Sequence, residues 1–201
     1  MYKLFLKRLI DIVGSLCISP FVVLEIVILA PLIYFTDRGP VFFNAQRVGR
    51  DGKIFKMFKL RSMYVNSKDI RNVDGSTFNS SKDPRVTPIG RFIRKTSLDE
   101  FPQFFNVLIG NMSLVGPRPS LATTPYSEYS EVRKKRVSVC PGVTGYSQAY
   151  YRNSIDQDEK FKYDAYYADN VTFWMDIKVL FKTFWTVITS RNINTAESIK
   201  K

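Results

Sequence analysis

The sequence predicts an α+β protein: a small, mostly helical catalytic domain with a short β-hairpin, preceded by an N-terminal membrane helix and accompanied by amphipathic interfacial helices. Three observations predict it. Leu9 to Phe35 is apolar apart from Asp11 and Glu25. Two short apolar runs, Val41-Phe42-Phe43 and Ile54 to Phe58, flank an Asp51-Gly52 turn signal. Apolar residues recur at helical spacing through Phe173, Ile177, Leu180, Phe181, Phe184, Trp185 and Ile188.

The chain has 201 residues, enough for one domain with a modest core. It contains no histidine. That excludes Ser–His and Cys–His nucleophile pairs and the usual zinc sites. Acid–base or nucleophilic work therefore falls to Asp, Glu, Lys, Tyr, Ser, Thr or Cys. The net charge of +12 suits nucleic acid, anionic lipid or nucleotide partners, and composition alone does not choose among them. Cys17 lies in the apolar segment and Cys140 in the soluble part, which argues against a bridge and for a reducing, cytosol-facing location.

A straight helix over Leu9–Phe35 is roughly 40 Å long, against about 30 Å of hydrocarbon, so it is long enough to span. It is too long for the core of a signal peptide, and no small-residue cleavage site follows it. Two features point the other way. Ser19-Pro20 sits near the middle, where proline removes a helical hydrogen bond and a kink is expected. Both flanks are basic: Lys3, Lys7 and Arg8 before, and Arg38, Arg47, Arg50, Lys53 and Lys56 after. Basic flanks favour the cytoplasmic side, and a helix that bends at Pro20 and returns satisfies both. The residues leave spanning and re-entrant geometries open.

Beyond the hairpin, Lys56, Lys59 and Arg61 are spaced to line one edge with cations. Tyr64 to Pro88 reads as a polar loop. Gly90 to Lys95 reads as a short basic helix or turn, and Phe104 to Leu108 as a helix ended by Gly110. No internal repeat is visible. Val171 to Ile188 is an amphipathic helix holding both tryptophans, Trp174 and Trp185. It suits either a core-facing role or the headgroup layer of a bilayer, with Asp176, Lys178 and Lys182 on other faces.

The candidate site is Ser97-Leu98-Asp99-Glu100 with Gly116-Pro117-Arg118-Pro119 downstream. A structural explanation exists: Ser97 and Glu100 fit a capping box, and Asp99 suits the first turn of a helix. The same placement serves chemistry. A helix start favours an ionised carboxylate and attracts phosphate. A carboxylate can attack phosphorus, and its neighbour can hold Mg2+ against phosphate oxygens. Two prolines restrict the backbone around Arg118, which lowers the cost of presenting its guanidinium to phosphate. Pro141 to Gly145 reads as a tight loop whose glycines admit a ligand or simply turn the chain. Arg152-Asn153 and Asp164 to Tyr167 could line a nucleotide pocket.

Taken in order, these pieces resemble the monotopic polyprenol-phosphate phosphoglycosyl transferases, the bacterial sugar transferase family, in its minimal single-domain form. The matching runs are Lys7 to Asp11, Ser19-Pro20, Phe55 to Met63, Asp83 to Thr87, Gly90 to Glu100, Gln103 to Leu108, Met112 to Pro119 and Pro141 to Gly145. They cover nearly the whole chain. The resemblance implies a re-entrant helix over 1–36, broken at Ser19-Pro20, and a catalytic domain over 37–201 at the cytosolic face of the bacterial inner membrane.

The resemblance also implies a two-step reaction. Asp99 attacks the β-phosphate of a UDP-sugar and releases UMP; polyprenol phosphate, of the undecaprenyl type, then takes the phosphosugar. Glu100 would bind Mg2+. Lys59, Arg94 and Arg118 would hold substrate phosphates, and Pro117, Gly142, Thr144, Arg152 and Asp164 would line the substrate site. The partners implied are the UDP-sugar, the lipid acceptor, the bilayer and downstream glycosyltransferases, without nucleic acid. Three departures stand out: Cys140 where a basic residue usually precedes Pro-Gly, Tyr150-Tyr151 in place of small residues, and Asn111 in place of a frequent Asp. A contrasting expectation is a non-catalytic basic membrane adaptor, and a third is direct transfer in a ternary complex. No residue reveals the sugar.

Overall fold

The computed structural model describes residues 2–70, 78, 80, 82–152 and 154–188. Asn153, and 71–77, 79 and 81 of the expected loop, lie outside the described residues.

Helix α1 (Lys7–Asp37) is long and apolar enough to cross a membrane, with mean hydropathy 2.5 over its most apolar window. Its buried residues Asp11, Ser15, Val22, Leu29 and Ile33 form one stripe at helical spacing. Phe21, Leu24, Ile28 and Phe35 point outward, uncovered by protein. The expected break at Ser19-Pro20 is absent from the secondary structure, because the helix runs through both Pro20 and Pro31. Beside Pro20, which has no N–H of its own, the Ser19 hydroxyl donates to the Leu16 carbonyl at 2.9 Å.

Both ends of α1 bind the same globular body. Near its start, Arg8 donates to the carbonyls of Val107 (2.6 Å) and Leu108 (2.9 Å). Asp11 accepts from the Ser113 hydroxyl at 3.0 Å and the Leu114 N–H at 2.9 Å. At its other end Arg61 grips both oxygens of Asp37, each at 2.6 Å.

The hairpin is present. Strands β1 (Ala45–Val48) and β2 (Ile54–Met57) pair antiparallel, with Val48 opposite Ile54. Asp51 and Gly52 take the left-handed backbone the turn requires, at φ 53° and 80°. Helix α2 (Pro88–Thr96) starts with Pro88, and the Thr87 hydroxyl accepts from Gly90 N–H. Helix α3 is Gln103–Leu108. Strand β3 (Ser113–Val115) pairs parallel with β5 (Gly142–Thr144), and β4 (Ser120–Leu121) adds to the free edge of β1. Helices α4 (Glu131–Arg136), α5 (Tyr146–Tyr150), α6 (Gln157–Asp169) and α7 (Phe173–Ile188) complete the domain.

Two expectations change. Within Pro141 to Gly145, Gly142–Thr144 is a strand rather than a tight loop: a Cβ at Gly142 would sit 2.1 Å from Gly116 N, so glycine is needed for the close backbone approach. Ser97, at φ 59°, ends α2 and precedes the 3-10 turn Leu98–Glu100 in the cap position, but its hydroxyl makes no capping bond, so the capping box is absent. In α7 Phe173, Ile177, Phe181, Phe184 and Trp185 of the apolar stripe are exposed, and Leu180 packs against the core. Trp174 and Phe181 are each 70% exposed, whereas Asp176 is buried, bonded by Lys7 and by the Tyr167 hydroxyl, each at 2.6 Å. The inner face of α7 is carried by Val179, in a cluster with Val115, Val139, Ala149, Tyr167 and Ala168.

Candidate active site

The two carboxylates sit on a single 3-10 turn, Leu98–Glu100, between α2 and α3. Leu98 is drawn into the cluster of Leu29, Ile33, Leu60 and Ile93. Burying Leu98 fixes the turn, and the Asp99 carbonyl accepts from Leu60 N–H at 3.0 Å. That bond sets Lys59, the residue before Leu60, beside the turn. Asn106 on α3 fastens the same segment from the other side. Its side chain accepts from Phe58 N–H and donates to the Lys56 carbonyl, both at 2.8 Å.

Lys59 Nζ therefore reaches Asp99 Oδ2 at 2.9 Å and Glu100 Oε1 at 3.2 Å. Arg118 Nη2 lies 2.7 Å from Glu100 Oε1, and its Nη1 lies 3.4 Å from Oε2. So Glu100 is not a capping residue; its side chain joins two cations. Burial pushes the Glu100 carboxyl up, but the charges of Arg118 and Lys59 outweigh it and hold the group well below the usual carboxylate range. Glu100 in turn pushes the Arg118 guanidinium up. Glu100 is thus an anion, and Arg118 a cation, throughout the physiological range.

Further cations surround the turn. Arg94 on α2 donates from Nε to the Ser62 hydroxyl at 2.8 Å. Burial pulls its guanidinium down, while Asp99 and Glu100 lie close enough to oppose that electrostatically. Arg152 follows α5 with φ 49°; burial pulls it down too, and Glu100 opposes. Lys59, Asp99, Glu100 and Arg118 are in direct contact, with Arg94 and Arg152 in electrostatic range.

The remaining expected substrate residues play other parts here. The Pro117 carbonyl accepts from Gly142 N–H at 3.0 Å, which ties the arginine loop to β5. Thr144 meets Thr183 of α7, hydroxyl to hydroxyl, at 2.6 Å. Asp164 does not reach the carboxylate turn. It is buried against Arg136, whose Nε lies 2.9 Å from its Oδ2. Arg136 also donates to the Ser120 hydroxyl and to the Arg118 carbonyl. Asp164, Arg136 and Arg118 thus form a chain that fixes the arginine loop. Sequence reading missed Arg136, because within Arg133-Lys134-Lys135-Arg136 nothing separates the one buried cation from its solvated neighbours.

Chemically, the turn offers a buried carboxylate already paired with a lysine, a second ionised carboxylate and a convergent set of cations. Such a set can accept a polyphosphate, whose oxygens would replace carboxylates as partners of Arg118 and Lys59. Among the described residues no three His, Cys, Asp or Glu side chains cluster as a metal group. Two carboxylates still fit Mg2+, which is commonly held by one or two carboxylates plus substrate phosphates.

A family profile described as bacterial sugar transferase matches residues 2–190. The chain is 41% identical to an undecaprenyl-phosphate galactose phosphotransferase of Salmonella typhimurium, over 92% of this chain and 40% of that protein. It is 37% identical to a UDP-N-acetylgalactosamine-undecaprenyl-phosphate N-acetylgalactosaminephosphotransferase of Aeromonas hydrophila, over 92% of this chain and 44% of that one. It is 38% identical to an uncharacterized sugar transferase, EpsL, of Bacillus subtilis, over 94% of this chain and 91% of EpsL. The chain thus spans about two fifths of the first two relatives and nearly all of the third.

Proposed function

The chain belongs to the bacterial sugar transferase family, and from that premise we propose that it moves a phosphosugar from a UDP-sugar to polyprenol phosphate, giving polyprenol diphosphate-sugar and UMP. The observation that carries this reading is the Asp99–Lys59–Glu100–Arg118 constellation. Asp99 attacks the β-phosphorus; the bond to the bridging oxygen breaks and UMP leaves with its electron pair. An oxygen of polyprenol phosphate then attacks the same phosphorus, and Asp99 departs as a carboxylate. A dianionic phosphate acceptor makes neither step dependent on a proton shuttle, in keeping with a chain that has no histidine.

The cations supply what the transfer needs. Lys59 orients Asp99, and Arg94, Arg118 and Lys59 stabilise charge on the phosphates. Arg152 extends the donor site, while Pro117, Gly142, Thr144 and Asp164 support the loops that frame it. Glu100, with Asp99 beside it, would hold Mg2+, which when bound neutralises repulsion between the nucleophile and the diphosphate.

Residues 1–36 form the anchor and 37–201 the catalytic domain, on the cytosolic face of the bacterial cytoplasmic membrane. The support for a one-leaflet, re-entrant anchor is that Arg8 and Asp37, at opposite ends of α1, both bind the same polar domain. A straight spanning helix would carry one of those ends to the far side of the bilayer. The outward aromatic residues of α7 give that domain a second contact with the headgroup layer.

The test is incubation with UDP-sugars and no lipid acceptor. One UMP released per enzyme, with a phosphosugar adduct on Asp99 by mass spectrometry, is expected. UMP formed only when acceptor is present would favour direct transfer in a ternary complex. Salt-sensitive lipid binding without UMP from any donor would favour the adaptor.

A further inference from the structure

Glu25 is one of two acidic residues in the apolar segment. Both of its carboxyl oxygens are shielded from solvent, and neither has a hydrogen-bond partner among the described residues. The other, Asp11, accepts from Ser113 and Leu114. Glu25 lies between the buried Val22 and Leu29 on the inward stripe of α1. Its neighbour Ile26 packs on the Leu29, Ile33, Leu60 and Ile93 cluster, which Leu98 also joins. Leu60 and Leu98 are the chain neighbours of Lys59 and Asp99. The carboxyls of Glu25 and Asp99 are close enough to interact electrostatically. Phe21, Leu24 and Ile28, on the other side of the same turns, are exposed to what would be lipid.

We infer that Glu25 binds the phosphate of the lipid acceptor, donating a hydrogen bond to a phosphate oxygen as that group approaches Asp99 from the bilayer. The inference rests on the transfer reaction proposed above. Burial of an unpaired carboxyl raises its pKa and favours the neutral form, which carries one proton to donate. Nothing described in the protein takes that bond. Leucine would fill the space without the desolvation cost, so the carboxyl has no packing rationale. A polyprenol phosphate has its chain in the hydrocarbon and its charge at the boundary, and Glu25 lies in the apolar segment within electrostatic range of the nucleophile. During the second transfer the acceptor oxygen bonds to phosphorus and the Asp99–phosphorus bond breaks. The Glu25 proton stays on Glu25, which orients the attacking phosphate.

The experiment uses the full chain in nanodiscs, with Glu25→Gln and Glu25→Leu. The expected result is an acceptor KM raised about tenfold in Glu25→Leu and within about threefold of the parent in Glu25→Gln, whose amide still donates. The donor-only UMP burst stays at the parental rate in both, and Glu25→Leu melts no lower than the parent. An unchanged acceptor KM in Glu25→Leu overturns the inference. So does Glu25→Gln as impaired as Glu25→Leu, or a burst slowed as much as turnover. A parent with no UMP burst would count against the transfer reaction instead. Native mass spectrometry of bound polyprenol phosphate then decides Glu25 alone: lipid lost from Glu25→Leu but retained by Glu25→Gln supports it, and equal retention overturns it.

Discussion

Lys59 Nζ stands 2.9 Å from Asp99 Oδ2, and the same ammonium reaches Glu100 at 3.2 Å. One cation thus restrains two adjacent carboxylates that would otherwise repel. Asp99 is only 3% exposed, so its orientation is set by this contact and by the turn that carries it. In the proposed reaction an incoming diphosphate would compete for Lys59 and free the Asp99 oxygen as it binds. Substrate binding and nucleophile release would then be one event.

Asp99→Asn tests the nucleophile. The amide keeps the size of the side chain and can still touch Lys59, but it cannot form the phosphate ester. Turnover is expected to fall by about a thousandfold or more, and the acceptor-free UMP burst to vanish. Near-parental turnover would remove Asp99 from the mechanism.

Lys59→Met separates positioning from nucleophilicity. The aliphatic stem is retained and the charge removed, which leaves Asp99 and Glu100 adjacent without their shared cation. A loss of about a hundredfold in kcat/KM is expected, as for other charge-stabilising groups. The thermal midpoint should fall as well, because a buried carboxylate loses its partner. Full activity would mean that Lys59 only stores charge.

Arg136→Met tests the chain that holds the arginine loop. The substitution leaves the Asp164 carboxylate buried without its partner, at a cost of about 3–5 kcal/mol in denaturant unfolding. The double variant Arg136→Met with Asp164→Leu removes both charges and should recover much of that stability. If Arg136 also aims Arg118, the double variant stays poor in KM for the donor while folding well. Recovery of both would reduce Arg136 to a packing role.

The parts of the fold legible in the sequence are those with local causes. Asp51-Gly52 supplies left-handed backbone wherever it occurs, so the hairpin was readable. The proximity of Lys59, Glu100 and Arg118 was not readable from spacing; it came from the family resemblance, since 41 and 18 residues separate Glu100 from its two partners. The capping reading of Ser97 failed because Ser97 also ends α2 in a left-handed backbone, from which its hydroxyl caps nothing, and Glu100 turns to Lys59 and Arg118 instead. The short parallel strand at Gly142 carries too little alternation to be seen. In α7 the apolar period was readable, while the choice between the core and the headgroup layer was not. Periodicity defines a face but not which neighbour covers it, and buried Asp176 meets a lysine 169 residues earlier in the chain.

Acid should reach the end of α1 before neutral pH does. Hydrogen bonds from Arg61, against a smaller cost of burial, pull the Asp37 carboxyl from 3.8 to about 2. A depressed carboxyl stabilises the fold fully above its unfolded value and loses that contribution as pH falls through the folded one. Asp37→Asn should therefore be less stable than the parent by about 2 kcal/mol at pH 6, with the gap constant down to about pH 4. Between pH 4 and 2 the gap should close. Denaturant unfolding at several pH values measures it, and a gap that widens in acid would contradict the Arg61 pairing.

Both tryptophans of the chain lie on α7, so intrinsic fluorescence reports on that helix alone. Trp174 is 70% and Trp185 54% exposed, so both rings present much of their surface away from the domain. If α7 rests in the headgroup layer, lipids brominated near the top of the acyl chain should quench this emission strongly. Lipids brominated near the chain end should quench it less, because an interfacial helix buries its apolar side only about 5–10 Å. Trp174→Phe leaves Trp185 as the single reporter and should give the same ordering, since both rings lie on the outward side. Emission insensitive to either lipid would mean that water or a protein partner covers this face, and that α1 alone holds the domain at the membrane.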